Sequence, residues 1–192
     1  MIGHMPQISR LRLTVAVTVA LCVLGSGAAL VTAQERRSDV VVITAALKDA
    51  AGQQVAVVEL RKSPRSAVKV LVTGRGLPPG FHGMHVHAVG ACEAPSFTSA
   101  GGHLKDAGVS HSDHTGDLTS LYVKRDGTVS VRFETDRFDF ATLRDKDGSA
   151  VMIHASPDNF GNIPPRYAPN GPDQTTRDTG DSGARIACGP IS

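Results

Sequence analysis

From residue 40 onward, the chain consists mainly of short runs in which apolar and polar residues alternate, and turn-forming residues separate these runs. Alternation with a period of two predicts half-buried β-strands, whereas amphipathic helices have a period near 3.6. An Asp-Gly pair at positions 126–127, between two of the runs, is a strong hairpin signal. The runs predict about eight strands, at residues 40–47, 55–61, 67–73, 81–89, 118–123, 128–133, 151–154 and 185–188.

Two long segments, 90–117 and 155–184, carry no regular pattern of this kind. Loops of such length inside a compact domain usually serve a function. The sequence has no internal repeat and no heptad pattern, and its aromatic content is 4% with no Trp. We therefore predict an all-β fold, an eight-stranded antiparallel barrel or sandwich with two long functional loops.

The N-terminal part of the chain has a different character. Arg10 and Arg12 precede an uncharged, mostly apolar run over residues 13–33, which ends in small side chains. This pattern predicts a signal peptide that is cleaved before Gln34, and hence an exported protein. An uncleaved membrane anchor is the alternative, because about 20 apolar residues can span a bilayer. The predicted division of the chain is a signal peptide at 1–33, a short linker at 34–39 and one folded domain at 40–192.

The formal net charge of +2 rests on the two arginines of the leader. Without residues 1–33, the chain has 20 − 2 = 18 basic and 18 acidic side chains, so the mature protein is neutral overall. This balance excludes the strongly basic face of a nucleic-acid-binding protein. We expect no nucleic-acid partner and, after cleavage, no stable membrane partner, while a homodimer is among the assemblies that the sequence leaves open.

Three cysteines occur in the sequence, and Cys22 lies in the leader. Cys92 and Cys188 remain as an even pair, which predicts a disulfide in the oxidising compartment of an exported protein. Two buried free thiols are the alternative. A bridge would tie the first long loop to the last strand.

Histidine is concentrated in one region, because every histidine after the leader lies between His82 and His154. Imidazole is the commonest protein ligand for copper and zinc, so this concentration predicts metal binding. The candidate ligands are His85, His87, His103, His111, His114, Asp117 and His154.

The strand that carries the first histidines has two faces, since successive side chains point to opposite sides. The apolar Met84 and Val86 mark the face that packs into the core. His82 shares that face, and we predict that it is a structural histidine bonded to backbone. His85 and His87 share the other face, which we predict to be covered by a loop.

The following loop carries His103, His111, His114 and Asp117. Three imidazoles and one carboxylate form a closed tetrahedral set of the kind that suits zinc. Two metals with four ligands each need eight ligand positions, and seven candidates supply them only if one residue bridges both ions. His111 and His114 are closer together than usual zinc ligands, and a polar loop that binds no metal is the alternative.

Four motifs together resemble the copper/zinc superoxide dismutases, in matching order over about residues 40–190. They are Gly-Phe-His-Gly-Met-His-Val-His at 80–87, Ser-Ala-Gly-Gly-His at 99–103, His-Thr-Gly-Asp at 114–117 and Gly-Ala-Arg-Ile-Ala-Cys-Gly at 183–189. The resemblance implies a Greek-key arrangement of the strands. It also implies that copper binds His85, His87, His103 and His154, that zinc binds His103, His111, His114 and Asp117, and that His103 bridges the two.

The resemblance assigns further roles. Asp158 would hydrogen-bond imidazoles of both metal sites, and Arg185 would guide and dock the superoxide anion beside copper. Thr179 would narrow the channel, and His103 would act as the proton donor. Without the resemblance, Asp158 is a solvated loop residue and Arg185 a rim arginine. The strength of electrostatic steering stays open, because the charged residues near the arginine have both signs: Asp173, Arg177, Asp178 and Asp181.

The function implied is antioxidant: a redox-cycling copper ion dismutates superoxide to dioxygen and hydrogen peroxide, in the periplasm, the cell envelope or the extracellular space. One alternative is a copper-only enzyme without zinc, because the segment between His111 and His114 is much shorter than in familiar members. Another is a non-catalytic exported copper-binding protein on the same fold, which would have no use for Arg185 or Asp158. A secreted sandwich whose metals merely stabilise its loops is the remaining alternative.

Overall fold

The structure is a computed structural model that describes residues 42–64 and 67–192. The predicted signal peptide and linker lie outside the described residues and stay predictions. Within the described part, none of the helices has both the length and the apolar character needed to cross a membrane.

The described residues are folded mainly into strands, as the alternating pattern predicts. Three short helical segments interrupt them: a 3-10 turn at Thr98–Ala100, α1 at Phe140–Leu143 and α2 at Gln174–Thr179. The strands are β1 Val42–Lys48, β2 Gln54–Lys62, β3 Val68–Arg75, β4 Gly80–His82, β5 Met84–His87, β6 Leu121–Val123, β7 Thr128–Thr135, β8 Ala150–His154 and β9 Arg185–Pro190.

Seven strands form one antiparallel sheet in the order β5-β8-β9-β1-β2-β3-β7, and β4 pairs with β6 in a second, two-stranded sheet. A tight turn lies at the Asp-Gly pair, with the amide of Lys124 donating to the carbonyl of Thr128 at 2.9 Å, but β6 and β7 belong to different sheets, so the predicted hairpin does not form a paired ladder. The curled antiparallel sheet confirms the prediction of an all-β barrel.

The predicted strand at 81–89 is divided at Gly83, which corrects the expectation of one continuous strand. The amide of Gly83 donates to the Ser156 carbonyl and its own carbonyl accepts from the His154 amide, both at 2.9 Å. The chain therefore leaves the small sheet and joins the large sheet at this residue. A Cβ atom at Gly83 would lie 2.7 Å from the Ser182 Cβ atom, so the crossing needs glycine.

The short helices also depart from the sequence prediction, which treats these segments as irregular. In α2, the Asp173 carboxylate accepts from the amide of Thr176 at 2.9 Å and caps the first turn. Gly180 ends the helix with φ 58°, in the left-handed region. A helix of six residues is too short to show a helical period, so the pattern gives no warning of it.

The main core lies inside the curled sheet and consists of inward-facing aliphatic side chains. Met84 and Val86 belong to it and are 0% and 1% exposed, as the alternation predicts. Burial of such side chains contributes about 1.5–3 kcal/mol each. Their strand neighbours, His85 and His87, therefore point away from this core and towards the loops.

Cys92 and Cys188 form the predicted disulfide, which excludes the alternative of two free thiols. Their sequence separation is 96 residues, and closing a loop of that size stabilises the fold by about 4–5 kcal/mol in the chain-entropy model. Around the bridge, Phe97 and Met152 are buried in a second, small apolar cluster. The first long loop is thereby fixed to β9 on the side where the histidines lie.

Candidate metal centre

The first long loop runs back along the outer edge of β5. The amide of Val86 donates to the Gly116 carbonyl and its carbonyl accepts from the Leu104 amide, both at 2.8 Å. These bonds place Asp117 opposite His85 and His103 opposite His87. A Cβ atom at Gly116 would overlap the Val86 carbonyl, so the close approach requires glycine.

Four buried histidines meet where this loop, β5 and β8 come together. The ligand atoms of His85, His87, His103 and His154 lie within 4.8 Å of one another. The Nε2 atoms of His87 and His154 are 3.4 Å apart. The structure thus brings together the whole set that the resemblance assigns to copper.

Three of these histidines donate a hydrogen bond from the ring nitrogen that points away from the cluster, and these bonds assign their tautomers. His87 Nδ1 donates to the Gly101 carbonyl at 3.0 Å, and His154 Nδ1 donates to the Gly183 carbonyl at 3.0 Å. His85 Nε2 donates to the Asp158 carboxylate at 2.7 Å. A neutral imidazole has one donor and one acceptor nitrogen, so the inner nitrogens of these rings carry lone pairs.

The inner nitrogens have no protein donor to satisfy them. His85 Nδ1 and His103 Nε2 are buried and lack a hydrogen-bond partner. Buried polar atoms without partners are costly, and a metal ion removes the cost by accepting their lone pairs. Four neutral imidazoles form a donor set that suits copper. The residues therefore fit the metal that the resemblance implies.

A second set of ligand atoms converges on Asp117. His111 Nδ1 lies 2.9 Å from Asp117 Oδ2, and His103 Nδ1 lies 3.0 Å from Asp117 Oδ1. His114 Nδ1 lies 3.3 Å from both His103 Nδ1 and Asp117 Oδ1. Three imidazole nitrogens and a carboxylate form the set that zinc prefers. Although only two residues separate His111 from His114 in the sequence, a nitrogen of each ring lies close to the Asp117 carboxylate.

His103 belongs to both sets, because its two nitrogens point in different directions. Its Nδ1 atom faces Asp117 and its unpartnered Nε2 atom belongs to the four-histidine set. The ring also stacks on His85 with the centroids 3.9 Å apart. Accordingly, the ligand atoms of His85, His103, His111 and Asp117 lie within 4.8 Å of one another, a group that does not include His114.

The turn from His114 to Asp117 is held by reciprocal bonds. The amide of His114 donates to Asp117 Oδ2 at 3.0 Å, and the amide of Asp117 donates to the His114 carbonyl at 3.1 Å. Arg137, from the segment after β7, donates to the same carbonyl at 3.1 Å. This side chain fixes the turn from outside the loop.

Asp158 connects the two sets of ligands. One carboxylate oxygen accepts from His85 Nε2 and the other from His111 Nε2, each at 2.7 Å. The amide of Phe160 also donates to Asp158 at 2.7 Å, so the carboxylate is itself held. A Cβ atom at Gly180 would overlap both Asp158 and the His111 ring, which explains the glycine at the end of α2.

Protonation competes with metal binding for these nitrogens, and the surroundings decide the competition. Burial lowers the pKa of His87 to about 2 and the pKa values of His103 and His154 to about 4. Their rings are therefore neutral near pH 7 and available as ligands. Burial alone would lower the pKa of His111, but contacts with Asp117 and Asp158 outweigh it and raise the pKa to about 9.

Both carboxylates in the site stay ionised. Burial would raise the pKa of Asp117, but hydrogen bonds with His103 and His111 hold it well below its usual range. The pKa of Asp158 is lowered in the same way by His111 and His85, again against the effect of burial. The centre therefore holds two negative charges among neutral or protonated rings, which favours a cation.

Arg185 lies beside the four-histidine set and is fixed by backbone. Its Nη1 atom donates to the Phe97 carbonyl and its Nη2 atom to the Gly101 carbonyl, each at 2.6 Å. The arginine lines a cavity of about 600 Å³, and His87, His103 and His154 line it too. Thr179 lines the same cavity, and its hydroxyl donates to the Thr175 carbonyl at 2.8 Å.

Several charged residues near Arg185 have structural partners. The Lys105 ammonium pairs with Asp178 at 2.8 Å, and both line the cavity. Asp181 also lines it and accepts from the Thr176 hydroxyl at 2.8 Å. Asp173 and Arg177 do not line it; the first caps α2 and the second bonds the Pro172 carbonyl. The cavity wall thus carries two positive and two negative side chains.

His82 lies outside both ligand sets. Its ring nitrogens are each 2.8 Å from a backbone carbonyl, that of His154 and that of Pro78. The backbone partners of the ligand rings were not predicted. The Gly101 and Gly183 carbonyls orient His87 and His154, but every residue has a carbonyl, so the residue type gives no signal.

Comparison with known proteins places these observations in a family. The family model described as copper/zinc superoxide dismutase matches residues 54–191. The superoxide dismutase [Cu-Zn] of Mycolicibacterium paratuberculosis is 43% identical over 166 residues, which cover 78% of this chain and 73% of that protein. The Mycobacterium tuberculosis protein of the same name is 45% identical over 142 residues, 66% of this chain and 59% of that protein.

Solved structures show the same relationship. A double mutant of a SOD-like protein from Bacillus subtilis matches with a TM-score of 0.64 and 30% identity, over 77% of this chain and 95% of that chain. The match of the family model covers well over half of the sequence, and the two converging ligand sets lie within it. This chain belongs to the copper/zinc superoxide dismutase family.

Proposed function

We propose that the chain dismutates superoxide to dioxygen and hydrogen peroxide. The observation that carries the proposal is the cavity in which three neutral histidines of a buried four-histidine set lie beside Arg185. Such a cavity presents a metal-binding set and a fixed positive charge to a small anion. The function agrees with the name of the Mycolicibacterium paratuberculosis relative.

Two metals belong to this proposal. Copper would be held by His85, His87, His103 and His154, and zinc by His103, His111, His114 and Asp117. When bound, copper supplies one-electron oxidation and reduction, and zinc supplies a fixed positive charge on the far side of the shared ring.

Arg185 binds and orients the substrate anion. Its guanidinium stays charged at any relevant pH and offers paired donors to a small oxyanion. Because two carbonyls hold it at 2.6 Å, little rearrangement is needed when negative charge develops on the substrate. Thr179, on the wall of the cavity, limits the size of the anion that reaches the arginine.

His103 would deliver a proton from its Nε2 atom at a stage when no metal occupies that nitrogen. This nitrogen is buried, unpartnered and on a ring that lines the cavity, so a proton there can pass to a reduced oxygen species in the same space. The contact of Nδ1 with Asp117 keeps the ring in place during the transfer. Asp158 keeps His85 and His111 oriented on either side.

The alternatives receive less support. The four zinc-type groups converge around Asp117 although the loop is short, which favours zinc over a copper-only site. A copper carrier must hand its metal to a partner, whereas every member of the four-histidine set is buried. A carrier also gives no role to the arginine fixed beside the set.

Export is the second part of the proposal, to the periplasm, the cell envelope or the extracellular space. The leader pattern and the disulfide between Cys92 and Cys188 support it, because structural disulfides persist in oxidising compartments. Mass spectrometry of the protein recovered from the envelope or medium tests it. A mature N-terminus at Gln34 is expected, and an intact chain in the cytoplasm would contradict it.

A homodimer is the third part. Phe81 and Tyr122, on paired strands, are 57% and 54% exposed, and their rings lie 5.0 Å apart. Exposed aromatic pairs of this kind often mark a protein interface. Sedimentation analysis should show a dimer that Phe81→Ser with Tyr122→Ser converts to a monomer; a monomeric wild type would contradict it.

Elemental analysis of the purified protein, combined with a superoxide-removal assay, tests the main proposal. We expect copper and zinc in equal amounts and removal that depends on copper. Copper without removal would indicate a carrier, and removal with copper but no zinc would place the chain among the copper-only enzymes.

A further inference from the structure

A second cavity, of about 470 Å³, lies next to the zinc-type ligands. It is formed by the end of β7, the segment that follows it and the turn of the first long loop. None of its lining residues lines the cavity that contains Arg185. Two separate cavities therefore adjoin the candidate metal centre.

The two cavities adjoin different ligands. His87, His103 and His154 line the cavity beside Arg185. Asp117 lines the second cavity, and no residue assigned to zinc alone lines the first. An ion entering beside Arg185 meets the copper-type histidines first, whereas an ion entering through the second cavity meets the Asp117 carboxylate directly.

The inner end of the second cavity is prepared for a cation. Asp117 lines this cavity although it is only 4% exposed. The buried His111 Nδ1 atom lies 2.9 Å from the Asp117 carboxylate, on a residue that does not itself line the cavity. One zinc-type residue therefore lines the cavity, and a ligand atom of a second lies 2.9 Å from its carboxylate.

The charges of the two cavities differ as well. Asp117, Glu134 and Asp136 line the second cavity with Arg137 as the sole cation among its lining residues. Lys69 approaches Glu134 only to 3.8 Å, and both side chains are exposed, so solvent screens that pair. An excess of carboxylates attracts a divalent cation, while the balanced wall beside Arg185 does not.

We propose that this second cavity is the port through which Zn²⁺ reaches and leaves its site, separate from the cavity used by the anion. The port rests on the zinc site of the proposed function. Arg137 closes the port from one side: its guanidinium donates to the His114 carbonyl at 3.1 Å and lies 4.0 Å from the Asp113 carboxylate. A single side chain thereby holds the turn that carries two zinc-type ligands.

The kinetics of zinc uptake test the charge of the port. Zn²⁺ is mixed with the copper-loaded, zinc-depleted full chain, and uptake is followed by stopped-flow with a zinc-sensitive dye. The double variant Glu134→Gln with Asp136→Asn should take up Zn²⁺ on the order of 10-fold more slowly at low ionic strength, and the difference should shrink as salt screens the charges. Glu93→Gln, an exposed carboxylate that lines neither cavity, is the matched control and should not slow uptake.

A steric pair of variants tests the path itself. Thr119 lines the second cavity and Thr175 the first, and both are exposed, so a tryptophan at either position need not disturb the core. Thr119→Trp should slow zinc uptake, and slow zinc loss from the holoenzyme to a chelator, each several-fold, with the final zinc content unchanged. Thr175→Trp should leave both zinc rates unchanged.

The possible outcomes distinguish a failure of the proposed port from a failure of the proposed zinc site. If the wild type takes up no zinc at equilibrium, the zinc part of the proposed function fails and the port fails with it. If all variants bind zinc to the same level at the rate of the wild type, the zinc site stands and the port is refuted. Slower uptake in Thr175→Trp alone would place the route beside Arg185 and also refute the port.

Discussion

Arg185 and His87 share one hydrogen-bond acceptor, the carbonyl oxygen of Gly101. Arg185 Nη2 donates to it at 2.6 Å and His87 Nδ1 at 3.0 Å. The proposed substrate-binding arginine and a proposed copper ligand are therefore positioned by the same peptide unit. Gly101 lies in the loop that the Cys92–Cys188 disulfide fixes to β9, so the bridge supports both groups at once.

Removal of the disulfide should affect stability and turnover together. In the double variant Cys92→Ser with Cys188→Ser, we expect a loss of up to about 4 kcal/mol in the free energy of unfolding, from the greater entropy of the unfolded chain. Turnover per bound copper should also fall, since the Gly101 carbonyl loses its support. Denaturant unfolding and a superoxide assay measure the two effects. Unchanged turnover per copper would show that the loop holds Gly101 without the bridge.

Replacement of Arg185 should lower turnover without removing copper, because the side chain is not a ligand. Arg185→Glu should reduce the rate on the order of 10-fold or more, since an anionic substrate meets a negative charge. Arg185→Lys should retain more activity at low salt, and the gap should narrow as ionic strength rises. Copper content and superoxide decay are measured over a range of salt. Equal rates for all three proteins would mean that the arginine has no part in the reaction.

Asp117→Ala should affect zinc binding and copper binding differently. The carboxylate is assigned to zinc alone, so zinc content should fall while copper stays and activity survives in part. The free energy of unfolding should decrease by about 3–4 kcal/mol when free zinc exceeds its Kd by 100- to 1,000-fold, because a metal that binds only the folded state stabilises it. Asp106→Ala, an exposed carboxylate of the same loop, is the control. Thermal unfolding with and without added zinc is the measurement, and identical shifts in both variants would contradict the zinc assignment.

Asp158→Asn should weaken both metal sites through the rings that the carboxylate orients. Asparagine has a single acceptor oxygen, so it can accept from His85 or from His111 but turns an N–H towards the other. A loss of such an outer hydrogen bond typically costs about 10–100-fold in metal affinity. Competition with chelators gives the affinity for each metal. Asp126→Asn, at an exposed residue of the turn between β6 and β7, should leave both affinities unchanged. Wild-type affinities in Asp158→Asn would mean that packing alone holds the rings.

The sequence predicts most of the fold because strands with one buried face impose a period of two. That period correctly assigns Met84 and Val86 to the core and places His85 and His87 on the other face. It does not predict the division of the strand at Gly83, because the residue pattern does not record which strand is the hydrogen-bond partner. The six residues of α2 are missed because they complete less than two helical turns.

The candidate site, like the fold, could be predicted only in part from the sequence. Ligand types and order in the sequence identify the rings, and the resemblance assigns them to two metals. Sequence spacing alone does not show whether His111 and His114 can bind the same ion, because that depends on the conformation of the loop. The Gly101 and Gly183 carbonyls, which orient His87 and His154, are invisible in the sequence because their chemistry is common to every residue. The distances to Asp117 therefore come from the structure alone.

The rate of superoxide decay as a function of bound copper tests the central claim most directly. The zinc-containing protein is titrated with copper, and decay is followed under a large excess of superoxide. We expect the rate to rise in proportion to copper until the four-histidine site is filled and then to level off, with many turnovers per ion, and we expect His87→Ala to abolish the rise. Decay that stops after one equivalent of superoxide per copper, or a rate that does not depend on bound copper, would contradict the account.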